Sequence, residues 1–254
     1  MQGSTFGLGA DGAACEAVAV DDSHGNGDSM TGSISPPGRA NSATNWAILL
    51  AAGGGARFGA EKQFVRAGGH RLVDLALEAA AGTCERVVLV LPPGRVWDGQ
   101  PVHAVVEGGA DRPASVRRGL AAIPDDDGIV IVHQAANPLA DVALLQALLE
   151  AVAGGAAAAV PGLRPADLVR RTTGGLLGDI VGRDDLVLVQ TPAAFRLPVL
   201  RAAHDQRIDA LEDTALVSAL GHDIVVVPGD PRNVHVTSMA DLELVTALLT
   251  HRLS

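Results

Sequence analysis

The chain has no tyrosine, four phenylalanines and two tryptophans in 254 residues. That scarcity argues against a platform for stacking nucleic-acid bases, which needs aromatic rings. Basic charge is also short, with 19 basic against 29 acidic side chains and a formal net charge of −10. A general nucleic-acid binder needs a basic face, so this class is set aside too. No apolar stretch approaches the roughly 20 residues that cross a bilayer. Cysteine is nearly missing: Cys15 and Cys84 have no metal-ligand spacing and build no disulfide framework. Cys84 reads as a small buried apolar residue, and a reducing cytoplasm is the expected location.

Lysine is the scarcest cation. Of the 19 basic residues only Lys62 is lysine, and the rest are arginine. Such a bias suits a GC-rich genome in which lysine codons drift to arginine. A position that tolerated either residue would then hold arginine, so Lys62 marks a need for a compact charge on a flexible stem.

What remains is mostly Ala, Val, Leu and Gly, in two regions. Residues 1–44 are rich in Gly, Ser, Asp and Asn, carry no basic residue before Arg39, and are expected to be a disordered leader. They match neither a secretory signal nor a transit segment. Met30 is an alternative start, with the first 29 residues a mis-assigned extension. Residues 45–254 are expected to form one domain, long enough for a sizeable core. There, short apolar runs alternate with helical periodicity. Strands are expected at 46–50, 86–91, 102–106, 129–133, 156–160, 186–190, 224–227 and 234–236. Helices are expected at 72–81, 112–123, 139–153, 198–204, 213–220 and 239–251. Strand–helix repetition implies an α/β fold with a doubly wound, mostly parallel sheet. Residues 164–183 break the rhythm, and Thr172-Thr173-Gly174-Gly175 reads as a hairpin tip.

The polar motifs sit where strands end, which is where open α/β sheets bind ligands. The first strand runs into Ala51-Ala52-Gly53-Gly54-Gly55-Ala56-Arg57, followed by Glu61-Lys62-Gln63. Small residues let backbone N–H groups approach a phosphate, and Arg57 and Lys62 add positive charge. This suits a nucleoside triphosphate, though the spacing is neither a dinucleotide fingerprint nor a Walker loop. A second cluster, residues 107–116, leads from strand to helix, with Asp111 as a cap and Ser115 free to offer a hydroxyl. Further polar groups lie at 133–138, at Arg183, and at 190–195, 211–215 and 228–237.

In order and spacing these motifs resemble the 2-C-methyl-D-erythritol 4-phosphate cytidylyltransferase family, from about residue 45 onward. The family's Ala-Ala-Gly-x-Gly-x-Arg matches Ala51 to Arg57, and its Lys-Gln matches Lys62-Gln63. Its Gly-Gly-x-x-Arg-x-x-Ser-Val is present in full as Gly108 to Val116. Its Gln-Thr-Pro-Gln-x-Phe corresponds to Gln190 to Phe195, with Ala193 at the fourth position, and its closing Asn-x-Lys-x-Thr to Asn233 to Thr237.

The resemblance implies a Rossmann-like nucleotidyltransferase fold with residues 164–183 as a protruding β-arm that makes a homodimer. It implies cytidylyl transfer from CTP to 2-C-methyl-D-erythritol 4-phosphate in isoprenoid precursor synthesis, with Mg²⁺ as cofactor and no nucleic-acid or membrane partner. Arg57 and Lys62 would be catalytic. Ala51, Ala52, Gly53, Gly54, Gly55, Gly109, Arg112, Ser115 and Ala135 would bind CTP. Asn137, Arg183, Thr191 and His235 would hold the acceptor.

Several positions depart from the pattern. Gln134 stands where the family has its metal-binding Asp. Asn137 replaces Arg, His235 replaces Lys, and Glu61 replaces Pro. Two other readings therefore stay open: a nucleotidyltransferase acting on another polyol or sugar phosphate, and a non-catalytic nucleotide-binding paralogue.

Overall fold

A computed structural model describes residues 44–53, 61–206 and 212–252. The expected leader, with Cys15 and Met30, lies outside the described residues, as do Gly54, Gly55 and Arg57.

The chain begins with β1 (Asn45–Leu50) and a 3₁₀ turn at Lys62–Phe64. A small hairpin follows, β2 (Arg66–Ala67) and β3 (His70–Arg71), and then α1 (Leu72–Ala81). The next elements are β4 (Arg86–Leu91), β5 (Ala104–Glu107), α2 (Arg112–Ala121), β6 (Ile129–Gln134) and α3 (Val142–Ala153). Then come β7 (Ala158–Leu163), β8 (Arg170–Thr173), β9 (Leu176–Ile180), β10 (Leu188–Val189) and β11 (Ala193–Arg196). The last elements are α4 (Leu197–Asp205), α5 (Asp213–Ala219), β12 (Ile224–Pro228) and α6 (Met239–Arg252).

Eight strands make one mixed sheet in the order β10-β7-β11-β6-β1-β4-β5, with β12 also paired to β7. Four pairings are parallel and three antiparallel, the latter all involving β10 or β11. Alternation along β1 divides the core between two faces. Ala47 and Leu49 pack with α1 and α3 residues such as Leu77, Leu145 and Leu148. Trp46 and Ile48 pack with Val116, Leu120, Leu200 and Val217 of α2, α4 and α5. Both faces are covered, as a largely parallel sheet requires. Cys84 is buried in the first cluster, and burial pushes its thiol pKa up to about 12.

The sequence pattern misplaces three features. It predicts that β7 stops before Pro161, but the strand runs through it to Leu163. Proline lacks the N–H that a ladder needs, yet the Pro161 carbonyl still accepts from the Gln190 N–H at 2.9 Å. The pattern predicts a strand at residues 234–236, which are an irregular segment whose backbone is docked by a bond from the Val236 N–H to the Ala136 carbonyl rather than by a strand ladder. β11 reads in sequence as a polar motif; it is an antiparallel strand between β6 and β7, entered through a cis Thr191–Pro192 peptide.

Residues 170–180 form the expected hairpin. Its tip, Gly174-Gly175, has φ of 58° and 81°, the left-handed region that glycine enters without strain. Every residue of β8 and β9 is exposed.

Candidate active site

The C-terminal ends of β1 and β6, the 3₁₀ turn, the loop after β5 and the start of α2 line a cavity of about 240 Å³. Of the predicted residues, Ala51, Ala52, Gly53, Lys62, Gly109, Arg112, Ser115 and Gln134 line it. They come from separate stretches of chain that the parallel register of β1, β4 and β6 brings level.

Lys62 stands at the start of the 3₁₀ turn, half-buried, and its Nζ donates to the Val236 carbonyl at 2.7 Å. Gln63 is buried beside it and donates from Nε2 to the Gly53 carbonyl at 3.1 Å, which ties the turn to the end of β1. Glu61, in the place of the family's proline, pairs with Arg95 at 2.6 Å, and that guanidinium lies 3.7 Å over the Phe64 ring. An ion pair and a cation–π contact here brace the turn.

The second cluster is pinned by its own polar groups. Asp111 caps α2, accepting from the Ala114 N–H at 2.7 Å. The Ser115 hydroxyl accepts from the Gly109 N–H at 3.0 Å and donates to the Asp111 carbonyl at 2.9 Å. Ser115 thus shapes the loop rather than standing free toward a ligand. A side chain at Gly108 would collide with Ala52, and one at Gly109 with Ala114. The two glycines let the loop lie flat against β1 and α2, so part of their close approach is to the protein itself.

At the end of β6 the side chains diverge. His133 is fully buried, and neither ring nitrogen has a partner among the described residues; burial pushes its pKa down to about 3, so it is a neutral core residue. The Gln134 side chain reaches the cavity, and its Nε2 donates to the Thr191 hydroxyl at 3.3 Å. Ala135 is fully buried, its N–H bonded to the Leu50 carbonyl, and its neighbour Ala136 lines the cavity instead.

Asn137 lies behind the wall. Its Nδ2 donates to Asn233 Oδ1 at 3.2 Å and its Oδ1 meets His235 Nδ1 at 2.7 Å. Asn233 in turn donates to the Thr191 carbonyl at 2.7 Å. Gln134, Thr191, Asn233, Asn137 and His235 thus form a continuous amide-rich network running from the cavity into the protein. Arg183 is exposed at the foot of the arm, donating to the Ala166 carbonyl at 2.7 Å, and does not line the cavity. Gln63, Asp111, Asn233 and Asp213 belong to the site or its support, and the sequence pattern assigns them no functional role. Asp111 and Asp213 read in sequence as cap or turn residues, while Gln63 and Asn233 lie inside matched motifs without a role of their own.

No group of three or more His, Cys, Asp or Glu that would hold a metal occurs among the described residues. Among the described residues the one carboxylate on the cavity, Asp111, is committed to the α2 cap, and Gln134 offers a neutral carbonyl. This donor set does not make a protein-held Mg²⁺ cage, which favours carboxylate oxygen.

Residues 46–251 match the family model described as 2-C-methyl-D-erythritol 4-phosphate cytidylyltransferase. The chain is 40% identical over 220 residues to the protein of that name from Salinibacter ruber, covering 79% of this chain and 91% of that one. It is 37% identical over 217 residues to the one from Nocardia farcinica, with 81% and 94% covered. The crystal structure of the enzyme of that name from Thermus thermophilus aligns with a TM-score of 0.71 at 34% identity, covering 80% of this chain and 98% of that chain.

Proposed function

The chain belongs to the 2-C-methyl-D-erythritol 4-phosphate cytidylyltransferase family, and we propose that it transfers a cytidylyl group from CTP to 2-C-methyl-D-erythritol 4-phosphate. The observation that carries this reading is the convergence of Ala51–Gly53, Lys62 and Gly109–Ser115 on one cavity at the carboxyl ends of the parallel strands.

In the proposed reaction the base lies against Ala51, Ala52, Gly109 and Ser115. The triphosphate runs from Gly53 toward Arg57, as the matched motif Ala51 to Arg57 implies. A phosphate oxygen of the acceptor attacks the α-phosphorus in line, the bond to the β-phosphate's bridging oxygen breaks, and pyrophosphate leaves. Such transfer needs positioning and charge stabilisation more than covalent help. Lys62, with Arg57, supplies that positive charge. Thr191 and the Asn137–His235 pair shape the acceptor side through hydrogen bonds. A Mg²⁺ ion bound to the nucleotide would add positive charge to this scheme; among the described residues, Gln134 would offer it a neutral carbonyl at most.

The arm supports a homodimer. Leu168, Leu176, Leu177 and Ile180 are 61–77% exposed on or beside a hairpin too small to bury them itself. A second copy would cover this apolar surface, and Arg183 at its foot would then face the partner's acceptor side. Among the described residues no helix is long and apolar enough to cross a membrane, and the proposed location is the cytoplasm.

The test is pyrophosphate release from CTP, Mg²⁺ and 2-C-methyl-D-erythritol 4-phosphate, with Lys62→Ala as control. Release that vanishes in the control supports the reading. Binding of CTP with no turnover on this acceptor would transfer the assignment to another polyol phosphate or to a binding role.

A further inference from the structure

Asp213 opens α5 and is only 2% exposed, yet it is a carboxylate. A buried carboxylate persists as an ion only when it is paired. Its Oδ2 accepts from Arg112 Nη2 at 2.7 Å, and its Oδ1 lies 3.0 Å from His204 Nε2. Burial by itself would raise its pKa; the His204 hydrogen bond and the Arg112 charge outweigh this and hold it below the ordinary value. An ionised carboxylate only accepts, so His204 carries its proton on Nε2. His204, on α4, is itself 2% exposed.

Arg112 is the outward member of this row. Its side chain is 28% exposed and lines the nucleotide cavity. It also borders a narrow crevice of about 20 Å³ with Gln190, Thr191 and Thr214, room for one water-sized group. Its Nη1 is buried without a partner among the described residues. An ion pair serving the fold alone has no reason to leave its own donor unmet, because a buried unmet donor is costly. The row spans three elements that meet only in the folded chain: the start of α2, the start of α5 and the end of α4.

We infer that Asp213 and His204 are positioning residues for Arg112, fixing its guanidinium in the cavity wall so that its charge meets the bound nucleotide. Asp213 sets the side chain's direction, and His204 holds Asp213 in register. This rests on reading the cavity as the nucleotide site.

The experiment measures CTP binding by calorimetry and KM for CTP against kcat. Arg112→Ala, Asp213→Asn, the Arg112→Ala/Asp213→Asn double variant, His204→Leu and His204→Gln are compared with the full wild-type chain. Asp213→Asn and His204→Leu should weaken CTP roughly 5- to 10-fold with kcat changed less than about 3-fold, since a binding contact is lost rather than a transition-state one. His204→Gln retains an N–H donor and should stay within about 2-fold of wild type. The double variant should bind CTP no more weakly than Arg112→Ala alone, because coupled residues are not additive.

Wild-type CTP affinity in Asp213→Asn, or losses that multiply in the double variant, would overturn the inference. If Asp213→Asn does not fold, the two His204 variants decide: equal CTP affinity in both overturns it. Unchanged CTP binding in Arg112→Ala would instead refute the placement of Arg112 in the nucleotide site, a separate failure.

Discussion

Lys62 donates from Nζ to the carbonyl oxygen of Val236, 2.7 Å away and 174 residues further along the chain. That bond fixes where the only lysine's charge sits relative to the cavity. Lys62→Ala should lower kcat by about 10²- to 10³-fold, the usual cost of one preorganised charge contact. Lys62→Arg should recover little, because a longer planar fork cannot both reach the Val236 carbonyl and leave its charge at the same point. Steady-state kinetics with CTP in excess checks both; near-wild-type kcat in Lys62→Arg would contradict the placement.

Gln134→Asp would put a carboxylate on the cavity at the end of β6. The expected outcome is a roughly 10-fold fall in the Mg²⁺ concentration needed for half-maximal rate, about 1.4 kcal/mol of added cation binding. An Mg²⁺ titration of wild type and variant gives the answer. Identical midpoints would mean that Gln134 does not approach the metal.

The exposed leucines of the arm predict the oligomeric state. Wild type should elute with the mass of two chains in light-scattering chromatography, and Leu176→Glu/Leu177→Glu should elute as one. If Arg183 serves the partner's site, the same variant should lose activity together with the dimer. A monomeric wild type at tens of micromolar would remove this part of the proposal.

Asp241 holds the start of α6. It accepts from the N–H and hydroxyl of Thr237 and of Ser238, all at 2.7–2.9 Å, and its own N–H donates to the Ser238 hydroxyl. These bonds pull its pKa down to about 2 from an ordinary 3.8. The folded form favours the charged state, so the contribution is complete above pH 4 and is lost as pH falls from about 4 to 2. Asp241→Asn keeps an acceptor but removes the charge in the first turn, and should cost about 0.5 kcal/mol near neutral pH. In denaturant unfolding, the gap between variant and wild type should close below about pH 4. A gap that widens on acidification would refute the assignment.

Elements with strong periodicity are legible from sequence. α1 and β4 match their expected bounds, because each is an uninterrupted apolar pattern between clear stops. β11 is not, because four residues after a proline carry too little pattern, and its strand character comes from its neighbours β6 and β7. The cavity's glycine loops and Lys62 are visible because they break composition. The row from Arg112 to His204 is not, since its members lie 9 and 101 residues from Asp213 and only folding joins them. Hydrogen-bond partners are not legible either: Ser115 lines the cavity but its hydroxyl bonds within its own loop, and Asn137 lies behind the wall, bonded to Asn233 and His235.

The segment 230–237 latches what earlier parts of the chain lay out. Lys62 is tied to Val236, Asn137 to Asn233 and His235, and Gln190 to Asp230 and Asn233. A nascent polypeptide therefore carries an unfinished pocket until that segment is made. Nucleotide affinity should emerge only as the 230–237 segment clears the ribosome tunnel, and truncations that remove it should leave the sheet without a working site.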